Sequence, residues 1–513
     1  MKKRNLRLPV FTFGLFVAVV LVLTSCGRDA IFFTIAHEVP PQPPLIRGGP
    51  TQMVVFNWPM LPEPAAMATE VVAGNGTENE NGDVNGNYNG SGNGNGYVTE
   101  PDYGGEDEPA PEPEPDNNIG YEVYRPGYRQ VLFVASGNNL FWYTAGYHIR
   151  NKADGSITGR NAGWGKDIRI PARPRGRIID IAATQNYLYI LVMEGTGITT
   201  TIHRLVSGGD AWVPMEFSGP GNIQSVFADP WGDRLFAGVQ SGGVNFIYTS
   251  EGTGPLSRLG TEERMVSDDP PVFTPNTGLL SGIAFRGGTY FLSTRNGILE
   301  VEVDVDGGEI ATWLTGNDMT RAFMGIIKLP GPGDLQEDLG SGGTIIAIAR
   351  AGGFLYEVNS GSPPARIQVT NAQGEPVTNA QGDPIWMGTG RDATGALALW
   401  RERDGTQELL IAGIQGSRHA TTFTNGYVEF RLNTDDRSLN TSAPRMEAGT
   451  TNDLFSVSDS AQYRTSLGRL PLNHLLQTPM EIDEYMTFFA STQTAGLWSY
   501  RTIDGRDQWN AEN

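Results

Sequence analysis

Gln130-Val131-Leu132-Phe133-Val134-Ala135, then Gly137-Asn138-Asn139, then Leu140-Phe141-Trp142-Tyr143: an apolar run, a turn signal and a second run rich in aromatics. Each run is too short for a helix, is rich in β-branched and aromatic side chains, and is bounded by glycine and asparagine, so the stretch reads as a β-hairpin. Working outward, the pattern returns six times. Tyr187–Val192 pairs with Thr201–Leu205, Arg234–Val239 with Val244–Tyr248, and Thr289–Thr294 with Gly297–Val301. Ile345–Ala349 pairs with Gly353–Val358, Leu409–Gly413 with Gly426–Phe430, and Thr487–Ser491 with Gly496–Tyr500. Seven hairpins at a spacing of about 60 residues point to a radial β repeat, each unit adding an inner and an outer strand.

Inner strands are visible before most pairs, at Arg177–Ile181, Ile223–Phe227, Gly282–Phe285 and Met324–Ile327. Their small and β-branched residues suit the crowded centre of a propeller. Ile168-Arg169-Ile170 alternates as an outer strand should. The expected fold is therefore all-β, a propeller of seven blades with four antiparallel strands each. The first blade lacks an inner strand directly before Gln130, and Met53-Val54-Val55-Phe56 can fill that place. The alternative makes the amino-terminal piece separate and the propeller independent.

Between the two lies a segment of a different texture. Six Asn-Gly pairs fall between Asn75 and Gly96, and an acidic, proline-rich run follows from Glu106 to Asp116. Few apolar side chains are available there to offset ordering entropy, so residues 62–120 read as a disordered acidic insertion. Arg47 and Arg125 bracket an interval without lysine or arginine that holds fourteen Asp and Glu. Taking those from the net charge of −20 leaves −6 for the rest, so the acidity belongs to one segment. No basic stripe exists to displace counterions, and nucleic-acid binding is not expected. Glycine (66) and proline (33) fit many short strands joined by turns.

The amino terminus carries an address. Lys2, Lys3, Arg4 and Arg7 precede an apolar stretch from Leu8 to Leu23, which is short for a spanning helix of roughly 20 residues. Leu23-Thr24-Ser25-Cys26 follows, and Cys26 is the only cysteine, so neither a disulfide nor a thiolate metal site is available. Leu-Thr-Ser-Cys resembles the lipobox of bacterial lipoproteins. That resemblance implies cleavage of residues 1–25, a lipid-bearing Cys26 as the first mature residue, and attachment to a membrane outside the cytoplasm. The outer membrane or cell surface is the expected place. The chain divides into a signal peptide at 1–25, a lead-in segment at 26–61 with a candidate first-blade strand, the insertion at 62–120 and the propeller at 121–513.

Residues 51–513 resemble seven-bladed β-propeller proteins. The whole mature chain is similar to lipoproteins of uncharacterised function found in spirochaetes, through Asp29-Ala30-Ile31-Phe32-Phe33, Pro43-Pro44-Leu45-Ile46-Arg47-Gly48 and Thr51–Phe56. The resemblance implies location and fold and supplies no catalytic residues.

The search for chemistry is brief. His37, His148, His203, His419 and His474 show no metal-ligand spacing, and a structural role is the simpler reading. His474, in the inner-strand candidate Leu472–Leu476, is the best placed for a central site. Asp304-Val305-Asp306-Gly307 starts like a calcium loop but lacks the later ligands, so it reads as a turn, as does Asn433–Asp436. No nucleophile elbow or phosphate loop is present. Most tryptophans should pack between blades, whereas Trp231, in Asp229-Pro230-Trp231-Gly232, is placed to meet a sugar or a protein partner. The sequence thus assigns no catalytic residue, metal ligand or cofactor. Trp231 and His474 are its candidate partner or glycan contacts. It points to a membrane-anchored envelope propeller that binds or scaffolds proteins. The alternatives are a propeller hydrolase or lyase acting on glycans or small esters, and a lectin-like glycan binder. Fold alone does not choose among them.

Overall fold

The structure is a computed structural model that describes Ile46, residues 51–59 and most of 128–512; segments such as 261–271, 332–342, 416–425 and 448–469 lie outside the described residues. Cys26 and residues 62–120 also lie outside them. Seven four-stranded antiparallel sheets succeed one another along the chain. The protein is a seven-bladed β-propeller. The inner strands of blades 1 to 7 are Thr51–Pro59, Arg177–Ala183, Asn222–Ala228, Leu279–Phe285, Phe323–Lys328, Asp392–Arg401 and Leu472–Gln477.

The second strand of each blade is the most deeply buried. Val131 to Val134, Leu188 to Val192 and Leu409 to Ala412 are cut off from solvent. A strand covered on both faces needs apolar side chains on both, hence the continuous runs where alternation would mark a half-exposed strand. The core is correspondingly divided into seven apolar clusters, one between each pair of neighbouring blades.

Thr51–Pro59 pairs along its whole length with Tyr128–Ser136, so Met53–Phe56 belongs to blade 1 and residues 60–127 join two adjacent strands. Every blade draws its strands from its own stretch of chain, and among the described residues no strand is exchanged to close the ring. Side chains and one backbone hydrogen bond make that joint. Trp164 Nε1 donates to Glu512 at 2.8 Å, and Glu512 also accepts from Ser499 Oγ. Tyr143, Trp164 and Phe489 meet edge to face, and Leu497 N donates to Ile46 O at 3.3 Å.

One expected strand is corrected. Blade 1 ends on Gly163–Trp164, and Ile168 and Ile170 are not in a strand. Ile168 is buried in the cluster between blades 1 and 2. Pro171 and Pro174 follow, and residues without an N–H cannot extend a ladder. The apolar alternation there reflects a packed connection.

Candidate functional site

The seven inner strands enclose a cavity of about 910 Å3 to which every blade contributes wall residues. Its geometry depends on a feature with no sequence signature. Six of the seven inner strands carry a bulge near their start, with register shifts at Ile178/Asp180, Ile223/Ser225, Leu279/Ser281, Phe323/Gly325, Ala393/Leu397 and Leu472/His474. Bulges bend a strand and re-aim the side chains that follow. Asp180, Ser225, Ser281, Gly325 and His474 therefore occupy one equivalent level around the channel.

Several of these residues tie blades together. Asp180 accepts from Val226 N of blade 3 at 2.8 Å and from Ile181 N at 2.9 Å. Ser225 Oγ donates to Leu279 O of blade 4 at 2.8 Å. Burial nevertheless pushes the Asp180 carboxyl up to about 7, outweighing the two amide donors. His474 lines the cavity with Nδ1 buried and without a hydrogen-bond partner. Burial brings its pKa down to about 4, so the ring is neutral at pH 7.

Where the inner strands finish, the rim of the cavity, its mouth, is charged. Arg437 holds Glu408 through Nε at 2.9 Å and Nη2 at 3.2 Å, and Arg401 Nε lies 3.5 Å from the same carboxylate. Gln477 fixes the Arg401 backbone by two bonds of 2.8 Å. Lys328 is buried at the same end, its Nζ 5.3 Å from the Phe285 ring centroid. Trp231 also lines the cavity, in a loop held by Trp231 N donating to Asp229 at 2.8 Å. Asp229 accepts from Tyr290 Oη at 3.0 Å, and burial raises its pKa. The two candidate contacts thus share one cavity, Trp231 at the mouth and His474 towards the starts of the strands.

The other histidines do not join them among the described residues. His203 lies in the third strand of blade 2, 3.6 Å from Glu194, and burial lowers its pKa. His37 and His419 lie outside the described residues, as does the His148 side chain. No group of three metal-holding side chains occurs among the described residues. Asp304 caps a turn by accepting from Gly308 N at 2.6 Å. Trp498 and Trp509 pack between blades 6 and 7.

Two features escaped the sequence reading. Asn433–Asp436 is a turn as expected, but it carries Arg437 to the mouth in the left-handed region, φ 57°. The second is a tandem octapeptide, Val369–Pro376 and Val377–Pro384, identical at seven of eight positions. Its eight-residue period was the available signal. Val369 N donates to Ile385 O (2.9 Å), Val377 N to Val369 O (2.9 Å) and Ile385 N to Val377 O (3.0 Å), a closed ring of three backbone bonds. Leu355, Ile367 and Met387 form a second such ring beneath it. Two matching loops project from this stalk. In each, Asn371 or Asn379 Oδ1 accepts from the amides two and four residues on, all at 2.9 Å.

No family model matches the chain, and no curated protein matches it in sequence. Solved structures similar to it in architecture include the following three. The extracellular domain of a putative hybrid two component system from B. thetaiotaomicron shares 12% identity at a TM-score of 0.38, over 72% of this chain and 36% of that one. The GH74 enzyme of Niastella koreensis shares 12% at 0.38, over 65% and 46%. YCF48 bound to a D1 peptide shares 12% at 0.36, over 73% and 88%. The chain thus spans less than two thirds of the first two proteins' length. The seven-bladed fold is carried by the chain's own strand order.

Proposed function

We propose that the chain is an envelope lipoprotein, anchored through lipid on Cys26, whose propeller binds or scaffolds a protein partner outside the cytoplasm. The tandem stalk on blade 5 carries this reading. A duplicated segment with two matching, internally bonded loops is a pre-organised surface, and pre-organisation lowers the ordering cost of binding. Residues 371–375 and 379–383 are almost wholly exposed, and Ile385 is 39% exposed beside them. The chain from Cys26 to Ile46 spans at most roughly 70 Å, which limits how far the disk stands from the bilayer.

The test has two arms. Cys26→Ser should abolish incorporation of a palmitate analogue and release the protein from membranes; continued labelling would remove the anchor. Deleting residues 377–384 should leave the propeller folded and abolish cross-linking to its envelope partner. Unchanged cross-linking would overturn the stalk as the contact surface.

A glycan-binding reading draws on Trp231 at the cavity mouth, and a glycan array with Trp231→Ala separates it from protein binding. Hydrolysis or lysis would need a carboxylate turned to substrate, whereas both Asp180 oxygens already accept backbone amides and Glu408, the carboxylate at the cavity mouth, is engaged by Arg437.

A further inference from the structure

We propose that the central cavity is a binding site for an amphipathic carboxylate, a small molecule with an apolar body and an anionic head. This goes beyond partner binding at the stalk and uses different residues. The volume of about 910 Å3 lies in the range of small-molecule sites. Val54, Phe227, Leu397, Leu399 and Leu476 are only partly buried and face the cavity, so an apolar body would remove their remaining surface from water.

The head group is selected at the mouth. Lys328, Arg401 and Arg437 line it, and Glu408 is the only carboxylate among the described mouth-lining residues. Arg437 spends two donors on Glu408, and a guanidinium has five. Its fork therefore stays able to take a second carboxylate while Glu408 holds it in place. Arg437 is also the one non-glycine residue at positive φ among the described residues, and such strain gathers at ligand sites. A further observation points to a ligand. Gln130 is 2% exposed, lines the same cavity, and its Oε1 has no hydrogen-bond partner. The missing donor is an N–H or O–H that the described protein does not supply. The carboxylate and the apolar body define the ligand class, and a hydroxyl or amide carried on that body would add the donor for Gln130.

The probes are 4-phenylbutyrate, its uncharged analogue 4-phenylbutan-1-ol, and butyrate, titrated into the full chain by calorimetry. 4-Phenylbutyrate should bind at least tenfold more tightly than either comparison compound. Raising NaCl from 20 to 500 mM should weaken it severalfold and leave the alcohol unchanged. Arg437→Asn, which tolerates the left-handed backbone, should weaken 4-phenylbutyrate at least tenfold. Equal binding of the acid and the alcohol, or acid binding indifferent to salt, would overturn the proposal without needing the variant. No binding of 4-phenylbutyrate would also overturn it, while leaving the stalk reading intact.

Discussion

Asp180 and His474 stand at the same bulge level in blades 2 and 7, and burial drives their protons in opposite directions. With a folded pKa of about 7, Asp180 keeps a proton that the unfolded chain has lost above its ordinary 3.8. Its contribution to stability is thus present below about pH 4 and is lost as pH rises to 7. His474, at about 4 in the fold against 6.5 unfolded, contributes above pH 6.5 and loses that as pH falls to 4. The two slopes oppose each other in the wild type. Asp180→Asn should therefore make stability in urea rise more steeply from pH 4 to 7 than in wild type, and His474→Asn should make it fall. Each difference should be on the order of 2 kcal/mol across the window, after discounting for solvent in the channel. Curves parallel to wild type would sink the assignment. His474 was legible in sequence because an inner strand was expected around it. Asp180 was equally inside an expected strand but looked like any strand aspartate, since a bulge leaves no mark in composition. Arg437 was hidden by its neighbours, because Asn433–Asp436 has a turn's composition whatever the turn delivers.

At the scale of elements, the buried second strands were the most readable part of the chain, because two covered faces demand unbroken apolar runs. Short outer strands such as Gly163–Trp164 carry too few residues to show a period, whereas the buried connection at Ile168–Ile170 alternates without being a strand. Inner strands are shaped by their neighbours as much as by their own residues. A Cβ on Gly325 would lie 2.9 Å from Gly395 O, and one on Gly395 would lie 2.7 Å from Met324 O. Blades 5 and 6 thus approach backbone to backbone, and glycine is the residue that permits it. Gly325→Ala should cost about 2–3 kcal/mol in urea, because the atoms it meets belong to the backbone of the next blade and cannot rotate away. Gly361, with φ +65° but open space around it, supplies the control. Gly361→Ala should cost about 1 kcal/mol from backbone strain alone. Equal costs at the two positions would mean that the blades can separate to accept a methyl group, and that the glycine pair does not set their spacing.

For the whole molecule the decisive question is how a ring tolerates 68 residues between its first two strands. Thr51–Pro59 supplies the complete inner strand of blade 1, and Phe56 and Trp58 pack with Phe133 in the cluster against blade 2. Blade 1 also forms one side of the ring closure, where no strand is shared among the described residues and contacts such as Trp164 with Glu512 hold the joint. Two deletions that look alike in sequence should therefore behave oppositely. Replacing residues 60–127 with a four-residue turn keeps both strands and shortens the closing loop. The loop-entropy relation predicts a gain of at most about 2.5 kcal/mol, with the oligomeric state on size-exclusion chromatography the same as that of the full chain. A chain beginning at Tyr121 instead loses Thr51–Pro59. It leaves Tyr128–Ser136 as an unpaired edge and uncovers Val131 and Phe133, which are now fully buried. An open apolar edge is a template for pairing with other chains, so this protein should aggregate or unfold. If the Tyr121 chain were instead a stable monomer, the lead-in strand would be an accessory, and the propeller would be an independent domain behind a linker.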